Sequence, residues 1–482
     1  MINKFDALIV GGGVGGCAIG ALLAHQGLKV KLFDKNNIIG GRCTTYEYEG
    51  FHIDLGVHLF GVGENGYLGD VCQMVGMPDA IKWVIARNPR PIMNYCGERK
   101  IYSRDSMSGM MGGKKEGEIK KEDSEKKKEG KEAARKFWSD CMDMPMGQIE
   151  ELYYTKLSNF VSRYSKDPTL LMFATQICMQ YFCVSPFEAS SGEFIRCFQQ
   201  VTRAKSSAYP IGGCIAIPKA YVNAMEKYGG EIQMNAKISK IVVEDGQAKG
   251  VELKDGSYHE SDIIISNADI QNTVLNLIGE KYFPAEYVQQ VKKLKYATHC
   301  MAIKVALDEI VTDQKLIMYI PVSFQEAGKL MPRKGGLEPP EKIGGMITSP
   351  TNFDPHLAPK GKQLIFFGSG CKPGLTQKEY ERWGEACMDS LLECLPEAKG
   401  HVMWYRTDTP TLVDQYAGEG GNIIGVGQTV KQIHERRPSQ ITPIKGLYIV
   451  GAEAGGHGIG TELAANSAME LLEILEKSTP TS

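Results

Sequence analysis

Ala7-Leu8-Ile9-Val10-Gly11-Gly12-Gly13-Val14-Gly15-Gly16, followed by Leu28–Phe33, Asp34 and Gly40-Gly41-Arg42, is the stretch that decides the fold. Residues 7–10 are a short apolar run of the kind that forms a buried parallel strand. Ala18, Ala21, Leu22 and Leu23 then supply the apolar face of a helix. Leu28–Phe33 predicts a second strand ending at Asp34, close to the spacing of about 20 residues expected for an acid that holds a ribose. Gly11 makes the tight turn, Gly13 lets backbone approach a pyrophosphate, and Gly16 lets the helix pack on the sheet, with Gly15 completing the run. The helix N-terminus offers free N–H groups and a partial positive charge to phosphate. A glycine-rich turn with no ligand is the plain alternative, and strand, helix and acid in this order weigh against it.

The rest of the composition sets bounds. The chain has 482 residues, too many for one core, so two or more domains are expected. Its formal net charge of −2 steers nothing toward nucleic acid. The 13 cysteines lack CxxC pairs and Cys/His ligand spacing, so no metal is expected, and their odd number argues against a disulfide framework. No signal peptide is expected before a strand that begins so soon after Met1. A reducing cytoplasm is the expected location.

From Asp34 to Arg42 the chain resembles the extended fingerprint of the flavoprotein superfamily that contains amine oxidases and phytoene desaturases, where an acid is followed by a GGR triplet. Two further glycines, Gly40 and Gly41, bring backbone close to a cofactor, and Arg42 offers a fork of donors to an anionic oxygen. Phe51-His52-Ile53-Asp54-Leu55-Gly56-Val57-His58 is similar to the superfamily's aromatic-x-x-Asp-x-Gly segment. The resemblance implies FAD, with Lys35 beside the ribose-binding acid. Near the other end, Leu447–Gly451 forms an apolar strand running into Ala452-Glu453-Ala454-Gly455-Gly456-His457-Gly458-Ile459-Gly460, and a helix follows from Thr461 to about Glu476. This looks like the superfamily's C-terminal flavin segment, which implies contacts from Gly451, Gly458 and Ile459 and makes Glu453 the ligand of the ribityl chain.

Tyr209-Pro210-Ile211-Gly212-Gly213 opens a third segment. A helix carrying Ile217, Tyr221 and Met225 follows, then Glu231–Met234, the run Ile238–Val243, and a strand Ile263–Ser266 ending at Asn267-Ala268. Asp245-Gly246 and Asp255-Gly256 are hairpin turn signals on their own terms. The order closely resembles phytoene desaturases, and Ile238 falls where that family meets adenine through backbone groups. PTNFDPHLAP at 350–359 and Gly418–Gly427 match as well. The resemblance covers most of the chain, with a gap at about 105–165.

The expected fold is α/β: a Rossmann-like FAD-binding domain of the GR2 flavoprotein type, interleaved with an α+β substrate domain. Residues 1–85, 205–270 and 425–482 carry the flavin signals; 86–204, a helical lobe, and 271–424 build the substrate part. An antiparallel sheet with covering helices is expected there, from strand-like runs at Ala302–Leu307, Leu316–Ile320 and Gln363–Phe367 and a helix from Glu379 to Leu395. Gly112 to Lys136 predicts a solvated helix with pairs Glu122–Lys126 and Glu132–Lys136, the alternative being a basic-acidic arm that rests on a membrane surface or a partner. Leu170 to Phe187, rich in Met, Phe, Cys and Tyr, falls short of the roughly 20 apolar residues of a membrane span and is expected to line a cavity for a long apolar ligand.

The resemblance implies hydride transfer between flavin and a hydrophobic, unsaturated small molecule, as desaturase, saturase or isomerase, with peripheral membrane contact inherited from relatives that draw substrate from the bilayer. His457 and His58, both on flavin-proximal glycine turns, are the candidate catalytic acids or bases. Two alternatives stay open: an amine-oxidase or porphyrinogen-oxidase-like enzyme, and a non-catalytic binder of lipidated partners of the GDP-dissociation-inhibitor type. The sequence names neither the substrate nor the electron acceptor.

Overall fold

A computed structural model describes residues 4–56, 59–101, 121–323, 326 and 337–478. His58 and the side chains of the expected Glu122–Lys126 pair lie outside the described residues.

The apolar runs assemble into a five-stranded parallel sheet in the order Leu447–Ile449, Ile264–Ser266, Ala7–Val10, Val30–Phe33, Glu231–Gln233. Strand alternation divides its side chains between two cores. Ala7 and Ile9 pack with the helices Val14–His25, Ala216–Lys227 and Thr461–Ser478. Leu8 and Val10 face a second cluster, shared with the three-stranded antiparallel sheet of Ile238–Glu244, Gln247–Leu253 and Tyr258–Glu260. The Asp245-Gly246 signal is realised as a turn with φ of 47° and 75°, both left-handed. The parallel sheet thus draws its strands from three separated stretches of chain, and all three must come together before its central strand is covered.

A second sheet has seven strands in the order Val402–Asp408, Cys300–Leu307, Gln363–Gly370, Gly345–Thr348, Leu316–Ile320, Ile92–Tyr95, Glu98–Ile101. The five strands from residues 271–424 pair antiparallel, as expected, and two strands from the 86–204 part extend the sheet. Ile92–Tyr95 runs parallel to Leu316–Ile320, and its hairpin partner Glu98–Ile101 forms the edge. The turn between them uses Cys96 and Gly97 with φ of 51° and 87°, so a cysteine stands where the Asn-Gly or Asp-Gly signal would have revealed the hairpin. The covering helix Gln377–Cys394 starts at a capping box formed by Thr376 and Glu379.

Helices Lys121–Asp143, Pro168–Phe182 and Ser191–Ala204 pack around a separate aromatic core that includes Phe137, Phe160, Phe173 and Phe194. In the first of these, Lys136 pairs with Asp140 at 3.0 Å rather than with Glu132. The second starts at Pro168 because Asp167 caps the Thr169 N–H at 2.8 Å, and it ends at Phe182, five residues short of the expected Phe187, because the backbone turns left-handed at Cys183 (φ 48°).

A methyl group on Gly16 would enter the van der Waals envelope of the Gly11 carbonyl oxygen, whereas one on Gly130 meets open space. Gly16→Ala should therefore destabilise the protein by on the order of 2 kcal/mol or more. Gly130→Ala, inside a helix, should leave Tm unchanged or raise it slightly. Thermal unfolding of the two variants side by side checks this, and equal Tm values would count against the tight turn.

Candidate functional site

Three glycine turns meet at the carboxyl ends of the parallel strands, around Asn267. This residue follows the strand Ile264–Ser266, and its Nδ2 donates to the Gly11 carbonyl at 3.3 Å. A Cβ on Gly13 would come within 2.6 Å of Asn267 Nδ2, on Gly15 within 2.8 Å of its Oδ1, and on Gly451 within 2.5 Å of the same oxygen. Gly15 and Gly451 also face each other, since a Cβ on the first would sit 2.7 Å from the Cα of the second. The GGR turn joins this knot through the Gly40 N–H, which donates to the Gly12 carbonyl at 2.7 Å. Gly41, with φ 57°, continues that turn.

Asp34 lies where the sequence places it, buried, with Oδ2 accepting from the Gly12 N–H and Oδ1 from the Asn36 N–H, each at 2.7 Å. Burial raises its pKa, and the two backbone donors oppose the rise. Each oxygen keeps a lone pair for a ligand hydroxyl. Lys35 and Ile238 line the same end of the cavity.

Glu453 is buried in a cluster of charges. Arg42 approaches it at 3.8 Å, and Asp269, paired with the Tyr296 hydroxyl, lies close enough to act on both. Arg437 donates to the carbonyls of Gly455 at 2.8 Å and Ala452 at 2.5 Å, bracing the turn that carries Glu453. Neither Glu453 oxygen receives a hydrogen bond of normal geometry among the described residues, although the Ile270 amide faces it. Burial pushes this carboxyl up to about 7, against the pull of Arg42 and Arg437. An unsatisfied buried carboxylate facing a cavity fits a ligand that brings hydroxyl donors.

The cavity is continuous and measures about 1330 Å³. One end is walled by Gly11, Gly13, Gly15, Asp34 and Arg42; the other by Met172, Met179, Met318, Met346, Tyr319 and Trp383. Thr175, Gln176 and Gln180 belong to the same helical wall, so the Met-rich helix lines the cavity as its composition implied. Glu453, Ile459 and Glu462 lie in the wall as well.

His457 is not part of that wall. Its Nδ1 is bonded to Glu193 Oε2 at 2.9 Å, and its ring stacks on Tyr153 with centroids 5.8 Å apart. Glu193 is fully buried and also accepts from the Gly458 N–H at 2.9 Å. Burial would raise its pKa, but the His457 and Gly458 hydrogen bonds outweigh it and hold Glu193 below the usual range. A histidine turned into the helical lobe positions the glycine turn; it does not reach the cavity. This corrects the expectation of a catalytic His457.

The site also holds residues that the motifs did not single out. Asn267 gave no signal, because an amide after a strand is common. Glu462 is buried in the first turn of helix Thr461–Ser478, with Oε2 accepting from the Leu68 N–H at 3.2 Å and Oε1 without a partner. Burial pushes it up to about 8. The YP-x-GG and aromatic-x-x-Asp motifs turn out to be one structural unit. Asp54 accepts from the Tyr209 hydroxyl, from Thr45 Oγ1 at 2.6 Å and from the Cys214 N–H at 2.9 Å. Asp354, within the 350–359 motif, accepts from the Gly212 N–H at 2.8 Å.

The sequence model of the NAD(P)-binding Rossmann-like domain family matches residues 9–74. Prolycopene isomerase of Daucus carota is 25% identical over 93% of this chain and 76% of its own length. The zeta-carotene-forming phytoene desaturase of Myxococcus xanthus is 24% identical over 95% of this chain and 91% of its own length. Among solved structures, an oxidoreductase from Methanosarcina mazei superposes with a TM-score of 0.73 at 22% identity, covering 97% of this chain and 99% of that one. The fold is therefore Rossmann-like α/β, its glycine-turn end suits a dinucleotide, and carotenoid desaturases and isomerases are similar to it over most of its length. Among the described residues, no helix is long and apolar enough to cross a membrane.

Glu462 titrates near 8 in the fold and near 4.5 when exposed, so the native state keeps an extra proton between those values. Its contribution to stability is full below about pH 4.5 and is lost as pH rises toward 8. Glu462→Gln should remove on the order of 3 kcal/mol from the fall in stability across that window. Denaturant unfolding of both proteins at pH 5 and pH 8 measures it; parallel falls would show that Glu462 does not carry the effect.

Proposed function

We propose that this protein binds FAD along the glycine-turn end of the cavity and moves hydride between the flavin and a hydrophobic, unsaturated substrate of the isoprenoid type, as desaturase, saturase or isomerase. The observation that carries this is the single cavity that joins a dinucleotide-sized polar cradle, with the unsatisfied Glu453 carboxylate in it, to a methionine-rich apolar chamber. The similarity to carotenoid desaturases and isomerases supports the same substrate class.

In this proposal Gly11, Gly13, Gly15 and Gly16 form the turn at the pyrophosphate, Asp34 and Lys35 hold the adenosine ribose, and Ile238 meets the adenine. Gly41 and Arg42 close over the phosphates, Glu453 takes the ribityl hydroxyls, and Gly451, Gly458 and Ile459 place the C-terminal helix beside the ring. Residues 1–85, 205–270 and 425–482 make up the cofactor domain, and 86–204 and 271–424 the substrate part. When bound, the flavin supplies two-electron hydride chemistry. The chain's own work is then to hold a C–H bond of the substrate at contact distance, to exclude water with the methionine wall, and to keep the flavin-side turn rigid through Glu193 and His457. Methionine side chains bend to an elongated ligand without offering it a charge. Contact with a membrane surface is the route by which such a substrate would arrive.

Gly13 has an ordinary backbone (φ −71°), and a Cβ there would come within 2.6 Å of the Asn267 side-chain amide. Gly13→Val should purify without FAD, with circular dichroism separating lost flavin from lost fold; a normal flavin content would overturn the proposed cradle. Glu453→Ala should weaken FAD retention about tenfold or more with little loss of fold, measured by flavin fluorescence after dialysis. Mixed anaerobically with lipid and aqueous fractions of a cell extract, the flavoprotein should be bleached by the lipid fraction. Bleaching by the aqueous fraction alone would sink the hydrophobic-substrate proposal.

A further inference from the structure

The helix that makes the methionine wall ends at Phe182 and is followed by Cys183, and the strand Cys300–Leu307, second in the order of the seven-stranded sheet, begins with another cysteine. Their Sγ atoms lie 3.8 Å apart, and both residues line the cavity. The two segments are already joined beside them, because the Thr298 N–H donates to the Cys183 carbonyl at 2.7 Å. Cys183 is buried against Ala297 and Ile424, with its thiol directed at the Met179 carbonyl at 3.1 Å, whereas Cys300 is partly exposed to the cavity. A packed thiol needs no second thiol beside it, and a pair reaching across two chain segments into one cavity is a feature of a different kind.

We propose that Cys183 and Cys300 are an oxidisable dithiol, a modification site at which a peroxide closes a reversible disulfide across the cavity wall. The chemistry balances with hydrogen peroxide as the two-electron oxidant. The Cys300 thiolate attacks the O–O bond, giving a sulfenic acid and, after protonation, one water. The Cys183 sulfur then attacks the Cys300 sulfur, its proton leaves with the departing hydroxide as a second water, and the S–S bond forms. Two thiols are oxidised and the peroxide is reduced to two waters. The division of roles follows the environments: Cys300 meets the oxidant from the cavity, and Cys183, buried beside it with its S–H on the Met179 carbonyl, is the resolving sulfur.

Bond formation requires the sulfurs to close from 3.8 Å to about 2.05 Å, a movement that side-chain rotation and a small shift of the helix end can supply. Once formed, the bond would staple the helix end to the sheet across 117 residues of sequence and fix the wall that carries Met172 and Met179. The proposal does not depend on the FAD reading, since neither thiol belongs to the glycine-turn cradle.

The test uses the full-length protein, reduced, desalted under nitrogen and treated with hydrogen peroxide in small molar excess. The mass should fall by about 2 Da, two of the 13 thiols should vanish from a titration under denaturing conditions, and dithiothreitol should restore both. Peptide mapping should join the Cys183 and Cys300 peptides. Cys183→Ser should instead leave a sulfenic acid on Cys300 that dimedone traps, and Cys300→Ser should show no loss of mass. All 13 thiols surviving peroxide that fully oxidises free cysteine would overturn the proposal, as would a cross-link between other cysteines. The peptide map of the unaltered protein decides the matter even if a variant fails to fold.

Discussion

Backbone crowding around Asn267 is the constraint on which the rest of the structure depends. Three turns from distant parts of the chain, at Gly11–Gly16, Gly40-Gly41 and Gly451, can approach one another only where side chains are absent. The amide of Asn267 fills the space between them and bonds to the Gly11 carbonyl. The parallel strands are short, three or four residues each, so their hydrogen bonds alone hold little. Convergence of the turns fixes which strand ends are level, and hence where a cradle for phosphate and ribose can exist.

How much of this was legible varies with the kind of interaction. Ala7–Val10, the helix after it, Asp34 and the C-terminal strand–turn–helix were legible because local pattern and tertiary role agree there. The edge hairpin Ile92–Ile101 was not, since Cys96 occupies a left-handed position that usually advertises itself with asparagine or glycine. Asn267 and Glu462 were also hidden. Their roles arise from groups hundreds of residues away, and nothing in their neighbours' spacing encodes that. His457 shows the opposite failure: the sequence put it on the right turn, but its ring direction is set by Glu193, 264 residues distant.

The motifs that looked like separate cofactor signals divide into two sorts. Some line the cavity, as Asp34, Arg42, Ile238 and Glu453 do. Others, the YP-x-GG turn, Asp54 and Asp354, form a hydrogen-bonded knot behind it, in which Asp54 satisfies three donors and Asp354 holds the Gly212 amide. A substitution at Asp54 would strand these donors in a buried site and act on folding first, whatever it did to ligand binding.

A domain selected for stability alone would not retain Glu453 and Glu462, each deeply buried and each with an oxygen lacking a hydrogen bond. Such groups cost on the order of 1–3 kcal/mol apiece when left unsatisfied. Glu453 faces a space that only a donor-bearing molecule can satisfy, and it stands on the same turn that Arg437 and Glu193 brace. Binding that supplies hydroxyl donors would recover the cost and pull the carboxyl back toward its ionised form, so affinity, protonation and stability are linked at one residue. An elongated hydrocarbon filling the methionine wall could not satisfy Glu453, so the two ends of one cavity suit ligands of different chemistry.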